Sequence, residues 1–214
     1  MNDNPPELSL LETRILGTLV EKQRTVPDTY PLSVNALQAG CNQKTSRNPV
    51  METTEAEILV ALDDLKEKGW VREVSGSRVS RFEHQVEKVL GVPTQASALL
   101  TVLMLRGPQT AGELRLNCER LYRFADISSV EAFLEELAAR ADGALVVELP
   151  RLPGARENRW MHLLSGQPQI ESGQASVRPV AANQDMEELR ARVTALEGEM
   201  AELRNLLRQV VDQS

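Results

Sequence analysis

One stretch of this chain carries side chains suited to nucleic-acid recognition and none that would repel it. Between Cys41 and Pro49 stand Gln43, Lys44, Ser46 and Arg47, interleaved with Asn42, Thr45 and Asn48 and with no acid, although acids outnumber bases by 31 to 24 in the whole chain. Hydroxyls, amides and cations donate to phosphate oxygens, and Gln and Arg also read base edges. Arginines in two later period-two segments, Arg72, Arg78 and Arg81 and then Arg151, Arg156 and Arg159, are mobile cations of the kind a phosphate backbone attracts. The candidate nucleic-acid interface is therefore Gln43, Lys44, Ser46 and Arg47 with Arg78 and Arg81. The plain alternatives are a polar loop bonding its own backbone and surface arginines lying over the core edge.

Other reactive residue types point away from catalysis. The only cysteines, Cys41 and Cys118, are 77 residues apart, and the only histidines, His84 and His162, are 78 apart. Ser33/Thr110 and Leu37/Leu114 share the 77-residue offset. A residue that recurs once per copy is more simply a packing residue than half of a joint site, and a period this long means duplicated domains rather than a solenoid. No cysteine spacing suits zinc, and the Asp and Glu pairs sit at helix-surface spacing. The expectation is no catalytic residue, no metal and no cofactor.

The elements that must position these residues read alike in both copies. Leu11, Ile15, Leu16 and Leu19 mark a first helix, as do Leu99, Leu100 and Leu103 in the second copy. Ser9 with Glu12 and Thr110 with Glu113 form capping boxes, and Thr94 to Ser97 reads as a helix cap. Second helices start at Ser33 and Thr110; third helices start near Thr54 and near Asp126, ending at Gly69 and Gly143. Then the period becomes two: residues 70–74 and 145–149 read as strands, with return strands over 79–86 and 159–164. The third helices are acidic, with Glu55, Glu57, Asp63, Asp64 and Glu67 in one and Glu131, Glu135 and Glu136 in the other. Carboxylates there oppose DNA and favour a protein partner.

With 42% hydrophobic and 3% aromatic residues, two cores of about 80 residues each would be mostly aliphatic. The net charge of −7 divides into −3 over residues 1–90, −1 over 91–165 and −3 over 166–214, so charge clustering matters more than the total. No apolar run approaches the roughly 18 residues of a membrane span, and the amino end lacks a signal-peptide pattern. A cytoplasmic protein without membrane contact is expected, in keeping with two lone cysteines.

The segments LETRILGTLVEK (11–22), TVPDTYPLSVNAL (25–37) and CNQKTSRNPVM (41–51) closely resemble the bacterial YceH-like family, whose function is not established. The resemblance covers about residues 8–165 and implies tandem winged-helix domains. It carries over no catalytic residue.

The expected architecture is mostly α with small β-hairpins, an α+β chain. Tandem winged helix-turn-helix domains over 1–90 and 91–165 precede a flexible linker over 166–184 and a coiled-coil helix over 185–214. In the tail, Met186, Leu189, Val193, Leu196, Met200, Leu203, Leu207 and Val210 alternate at a and d positions. Arg192 then faces Glu197, and Glu199 faces Arg204, across a parallel homodimer; a lone helix folded back on the body is the alternative. Two functions stay open. One is a DNA-binding regulator using the loop and wing of the first copy on double-stranded DNA. The other is a scaffold or adaptor whose winged helices bind a protein partner.

Overall fold

A computed structural model describes residues 7–74, 79–151 and 153–167. The expected linker beyond residue 167 and the coiled coil, with Leu189, Val193, Leu196, Met200, Leu203, Leu207 and Val210, lie outside the described residues, as does Arg78.

The first copy comprises α1 (Leu10–Thr25), β1 (Leu32–Ser33), α2 (Val34–Cys41), α3 (Glu55–Glu67), β2 (Val71–Val74) and β3 (Arg81–His84). A short helix, α4 (Val86–Leu90), leads to α5 (Thr94–Arg106), α6 (Ala111–Asn117), α7 (Ile127–Ala138), β4 (Val146–Leu149) and β5 (Arg159–His162). The described chain is thus mixed α+β, with seven α-helices and two small antiparallel sheets.

Helix starts follow the local chemistry of the sequence. The Glu12 amide donates to Ser9 Oγ (3.2 Å) while the Ser9 amide donates to the Glu12 carboxylate (2.6 Å), so two orphan donors are satisfied at once. Thr110 and Glu113 repeat the arrangement at α6, and Thr54 and Glu57 at α3. Asp126 caps α7 with Ser129. Thr94 does not cap: it is the first helical residue of α5, preceded by Pro93, whose ring leaves no side chain to accept a bond. Gly69 ends the α3 region at a φ of 77°, a backbone state that costs glycine little.

The duplication extends to strand pairing. In the first copy β1 adds to the hairpin, with Leu32 opposite Phe82. Seventy-seven and 78 residues on, Gln109 bridges Trp160, exchanging both backbone bonds (3.1 and 2.7 Å). His84 and His162 take equivalent places opposite Val71 and Val146. Trp70 and Trp160 are buried where each hairpin meets its helices.

Although each copy has its own helices and hairpin, both belong to one compact unit that ends at Pro168. A single core runs through them, with α1 packed along α5. Gly17 makes that approach possible: a Cβ there would lie 2.9 Å from Leu105 Cγ and Cδ2, inside van der Waals contact. Backbone bonds cross as well, from the Leu8 amide to Leu164 O and from the Asn48 amide to Leu105 O, both 2.8 Å. The side chains of Arg24 and Arg140 donate across to Leu121 O and Leu90 O.

Candidate functional site

The acid-free stretch between α2 and α3 is held at both ends by a buried arginine. Arg14, on α1, donates to Cys41 O (3.2 Å) and to Pro49 O (2.7 Å), closing the loop onto the helix. Its guanidinium is fully buried. Burial pulls its pKa down, and the neighbouring Arg47 charge adds to this.

Arg47 departs from the role its sequence context suggests. It is buried, donating through Nε to Gly40 O (3.1 Å) and through both terminal nitrogens to Glu21 (2.9 and 3.1 Å), and to Ser46 O (3.0 Å). A guanidinium engaged in this way has no face left for a phosphate. Burial raises the pKa of Glu21, but hydrogen bonds from Arg47 and Lys22 outweigh that and hold it below the ordinary carboxylate value. Arg47 is thus an internal clamp between α1 and the loop.

With Arg47 inside, the loop turns Gln43, Lys44, Thr45 and Ser46 onto a cleft of about 460 Å³ at the junction of the copies. The opposite wall is Val102, Leu105 and Arg106 of α5, then Asn117, Arg120 and Leu121. Ser46 has a φ of 60°, a left-handed conformation uncommon for a residue with a side chain, and its Oγ accepts from Arg106 at 2.8 Å. Gln43, Lys44 and Ser46 thus come together. Their companion Lys22 lies 22 residues before Lys44, and Arg106 and Arg120 belong to the other copy, so no local pattern marked them.

The hairpin arginines are placed elsewhere. Arg81 is not in the cleft; it donates to Thr29 O (3.3 Å) and Pro31 O (2.7 Å) and braces the segment before β1. Arg72 pairs with Glu83 across the strands, and Arg159 makes a two-pronged pair with Glu113, both bonds at 2.9 Å. Arg151 and Arg156 are exposed.

The exposed face of α3 mixes carboxylates with apolar side chains. Leu59 is 42% and Val60 64% exposed, beside exposed Glu55, Asp63, Asp64 and Glu67. The cations of this helix region offset only Asp63 among them, because Lys66 is shared between Asp63 (2.8 Å) and Glu73 (3.3 Å) while Lys68 pairs with Glu12. On α7, Ile127 is exposed at the start and Glu131, Glu135 and Glu136 follow on the outer side.

The cysteines and histidines are internal. Cys41 donates to Thr18 Oγ1 and Cys118 to Ala98 O, and burial pushes their thiols up to about 11 and about 12. Such thiols are almost wholly protonated at neutral pH and poor nucleophiles.

A family model described as a protein of unknown function, DUF480, matches residues 8–155, a span that includes the clamped loop and every wall of the cleft. The UPF0502 protein of Dechloromonas aromatica is 82% identical over 207 residues, 97% of each chain. UPF0502 proteins of Burkholderia pseudomallei and Burkholderia ambifaria are 57% identical over 209 residues and 58% over 215, in each case covering 97% of this chain and 89% of the relative. Likeness on this scale, over nearly the full length, places the chain in the DUF480 or UPF0502 family of bacterial proteins of unknown function, in agreement with its YceH-like motifs.

Proposed function

We propose that this chain is a non-catalytic binding protein, built from two winged-helix modules, that docks a protein partner through its third helices. The order of three helices and a hairpin in each copy supports the winged-helix reading. The observation that carries the docking reading is the exposed face of α3, where Leu59 and Val60 stand among Glu55, Asp63, Asp64 and Glu67 while the neighbouring cations are already paired. In a DNA-reading winged helix this surface would face the major groove, where carboxylates in excess of cations, Glu55, Asp64 and Glu67 beyond the paired Asp63, meet phosphates with repulsion. Apolar anchors ringed by carboxylates instead complement a partner that offers an apolar side chain flanked by Lys or Arg. Duplex DNA, the other reading, keeps Gln43, Lys44, Ser46 and Arg81 as candidate contacts but loses Arg47 to the clamp.

The setting fits a cytoplasmic homodimer: two reduced cysteines, no described helix long and apolar enough to cross a membrane, and a tail whose heptads match in charge. The test places a photo-crosslinking residue at Val60 in the native host and then measures binding of the identified, purified partner. Asp63→Lys with Asp64→Lys should weaken that complex at least about tenfold, since charge reversal acts on both encounter and bound state. No crosslink at Val60, together with duplex binding at low ionic strength that survives these reversals, would replace the adaptor by a DNA-binding protein.

A further inference from the structure

The junction cleft has a composition that the docking reading does not use. Four cations, Lys22, Lys44, Arg106 and Arg120, converge on it, against one carboxylate, Glu21, which Arg47 and Lys22 already occupy. Lys44 and Arg120 have no hydrogen-bond or ion-pair partner among the described residues, and the only such contact of Arg106 among them is with Ser46 Oγ. Cations gathered in a concave site repel one another and focus a positive potential there, even in a chain of net charge −7. The arrangement is electrostatically incomplete until an anion enters.

The shape and chemistry of the walls narrow the anion's class. A volume of about 460 Å³ suits a small molecule and is far too confined for a duplex. Arginine forks and lysine point charges are the usual partners of phosphoryl oxygens, and Ser46 and Thr45 add hydroxyls on the loop side. Val102, Leu105 and Leu121 supply an apolar floor, so the ligand has a carbon body as well as a charged head. The walls are fixed from behind by the Arg14 and Arg47 clamps and by the Asn48 to Leu105 backbone bond, which keeps ordering costs on binding low.

We propose that the cleft between the two copies is a binding site for a small organic phosphate, whose phosphoryl oxygens are held by Lys44, Arg106 and Arg120. Both copies line it, so the ligand bridges them and couples their packing. This site is independent of the α3 docking face.

Pyrophosphate and ADP serve as probes, titrated by calorimetry into the full chain, with sodium chloride of matched ionic strength and citrate as controls. Saturable binding of one ADP or pyrophosphate per chain is expected, with a rise in melting temperature that the salt control does not give. Lys44→Ala combined with Arg120→Ala should lower affinity at least about tenfold, because each charged hydrogen bond lost is a sizeable fraction of the binding energy. The ligand-free melting temperature should not fall, since neither side chain supports the fold and their removal relieves the repulsion among the cations. Lys88→Ala, an exposed cation elsewhere, should bind as the wild type does. Absence of saturable binding, equal weakening by Lys88→Ala, or citrate binding as tightly as pyrophosphate would overturn the assignment. So would duplex DNA displacing bound ADP, which would give these cations to nucleic acid.

Discussion

Acidification should weaken this fold between pH 7 and pH 5, before its carboxylates matter. His84 accepts the Val86 amide at Nδ1 (3.3 Å), so its proton sits on Nε2 and is given to Gln23 Oε1 (2.8 Å). A second proton would have to enter at Nδ1, against an N–H already pointing there. Burial lowers the pKa of His84 to about 4, helped by the charge of Arg24, and burial alone lowers that of His162 to about 4. Both are therefore neutral in the fold, whereas the unfolded chain titrates near 6.5. Below that value the unfolded state binds more protons, so stability falls as pH falls; above it the histidines contribute no slope. From pH 7 to 5 the loss is about 2 kcal/mol per histidine, about 4 kcal/mol for both, a large part of a typical domain's stability. Glu12 and Glu21 have lowered pKa values; the stability they add is lost only as pH falls below the ordinary 4.5, a separate window. Urea midpoints followed by circular dichroism at pH 7, 6 and 5 measure the effect, and His84→Gln and His162→Gln should each remove about half of it. A midpoint that stays constant from pH 7 to 5 would refute the neutral burial of these rings.

Arg47→Ala should cost about 2 to 4 kcal/mol in urea unfolding, because it removes a buried guanidinium from Glu21 and Gly40 O and leaves Glu21 with Lys22 alone, while Lys44→Ala stays within about 0.5 kcal/mol. Equal stability of the two variants would return Arg47 to the surface. Gly17→Val should destabilise by about 1 to 3 kcal/mol through the clash with Leu105, read as a lower denaturation midpoint. Cys41→Ala should cost about 1 to 2 kcal/mol, and neither wild-type thiol should react with a disulfide reagent until the chain unfolds. Deleting residues 185–214 should halve the sedimenting mass while leaving the circular dichroism of the body intact; an undiminished mass would mean that the body itself dimerises.

What could be read from the sequence was what short-range chemistry controls. The capping boxes at Ser9 and Thr110 and the helix start at Thr54 rest on residues within four of one another, and the switch to period two at Val71 and Val146 is equally local, so their positions were legible. The third strand was not. Leu32 and Gln109 pair with Phe82 and Trp160 some 50 residues away, and two residues are too few to show alternation. The short α4 escaped for a similar reason, since five residues show little more than one helical turn. Nor could the cleft be read, because its four cations come from α1, the loop, α5 and the segment after α6, and only the packing of α1 on α5 brings them together.

The inward turn of Arg47 separates the composition of the loop from its role. An acid-free run of amides, hydroxyls and cations is what phosphate binding requires, but one of the two cations in this run is turned inward, to the backbone and to α1. Arg14 and Arg47 need carbonyl acceptors, which Gly40, Cys41, Ser46 and Pro49 supply, and one carboxylate, which comes from Glu21 on α1 rather than from the loop. The residues that do reach outward, Gln43, Lys44 and Ser46, do so because the clamp faces inward, and they meet arginines of the second copy rather than open solvent alone. The loop thus has a structural role: through the Asn48 to Leu105 backbone bond it lets one copy grip the end of α5 in the other, and in doing so it forms one wall of a cleft that gathers four cations.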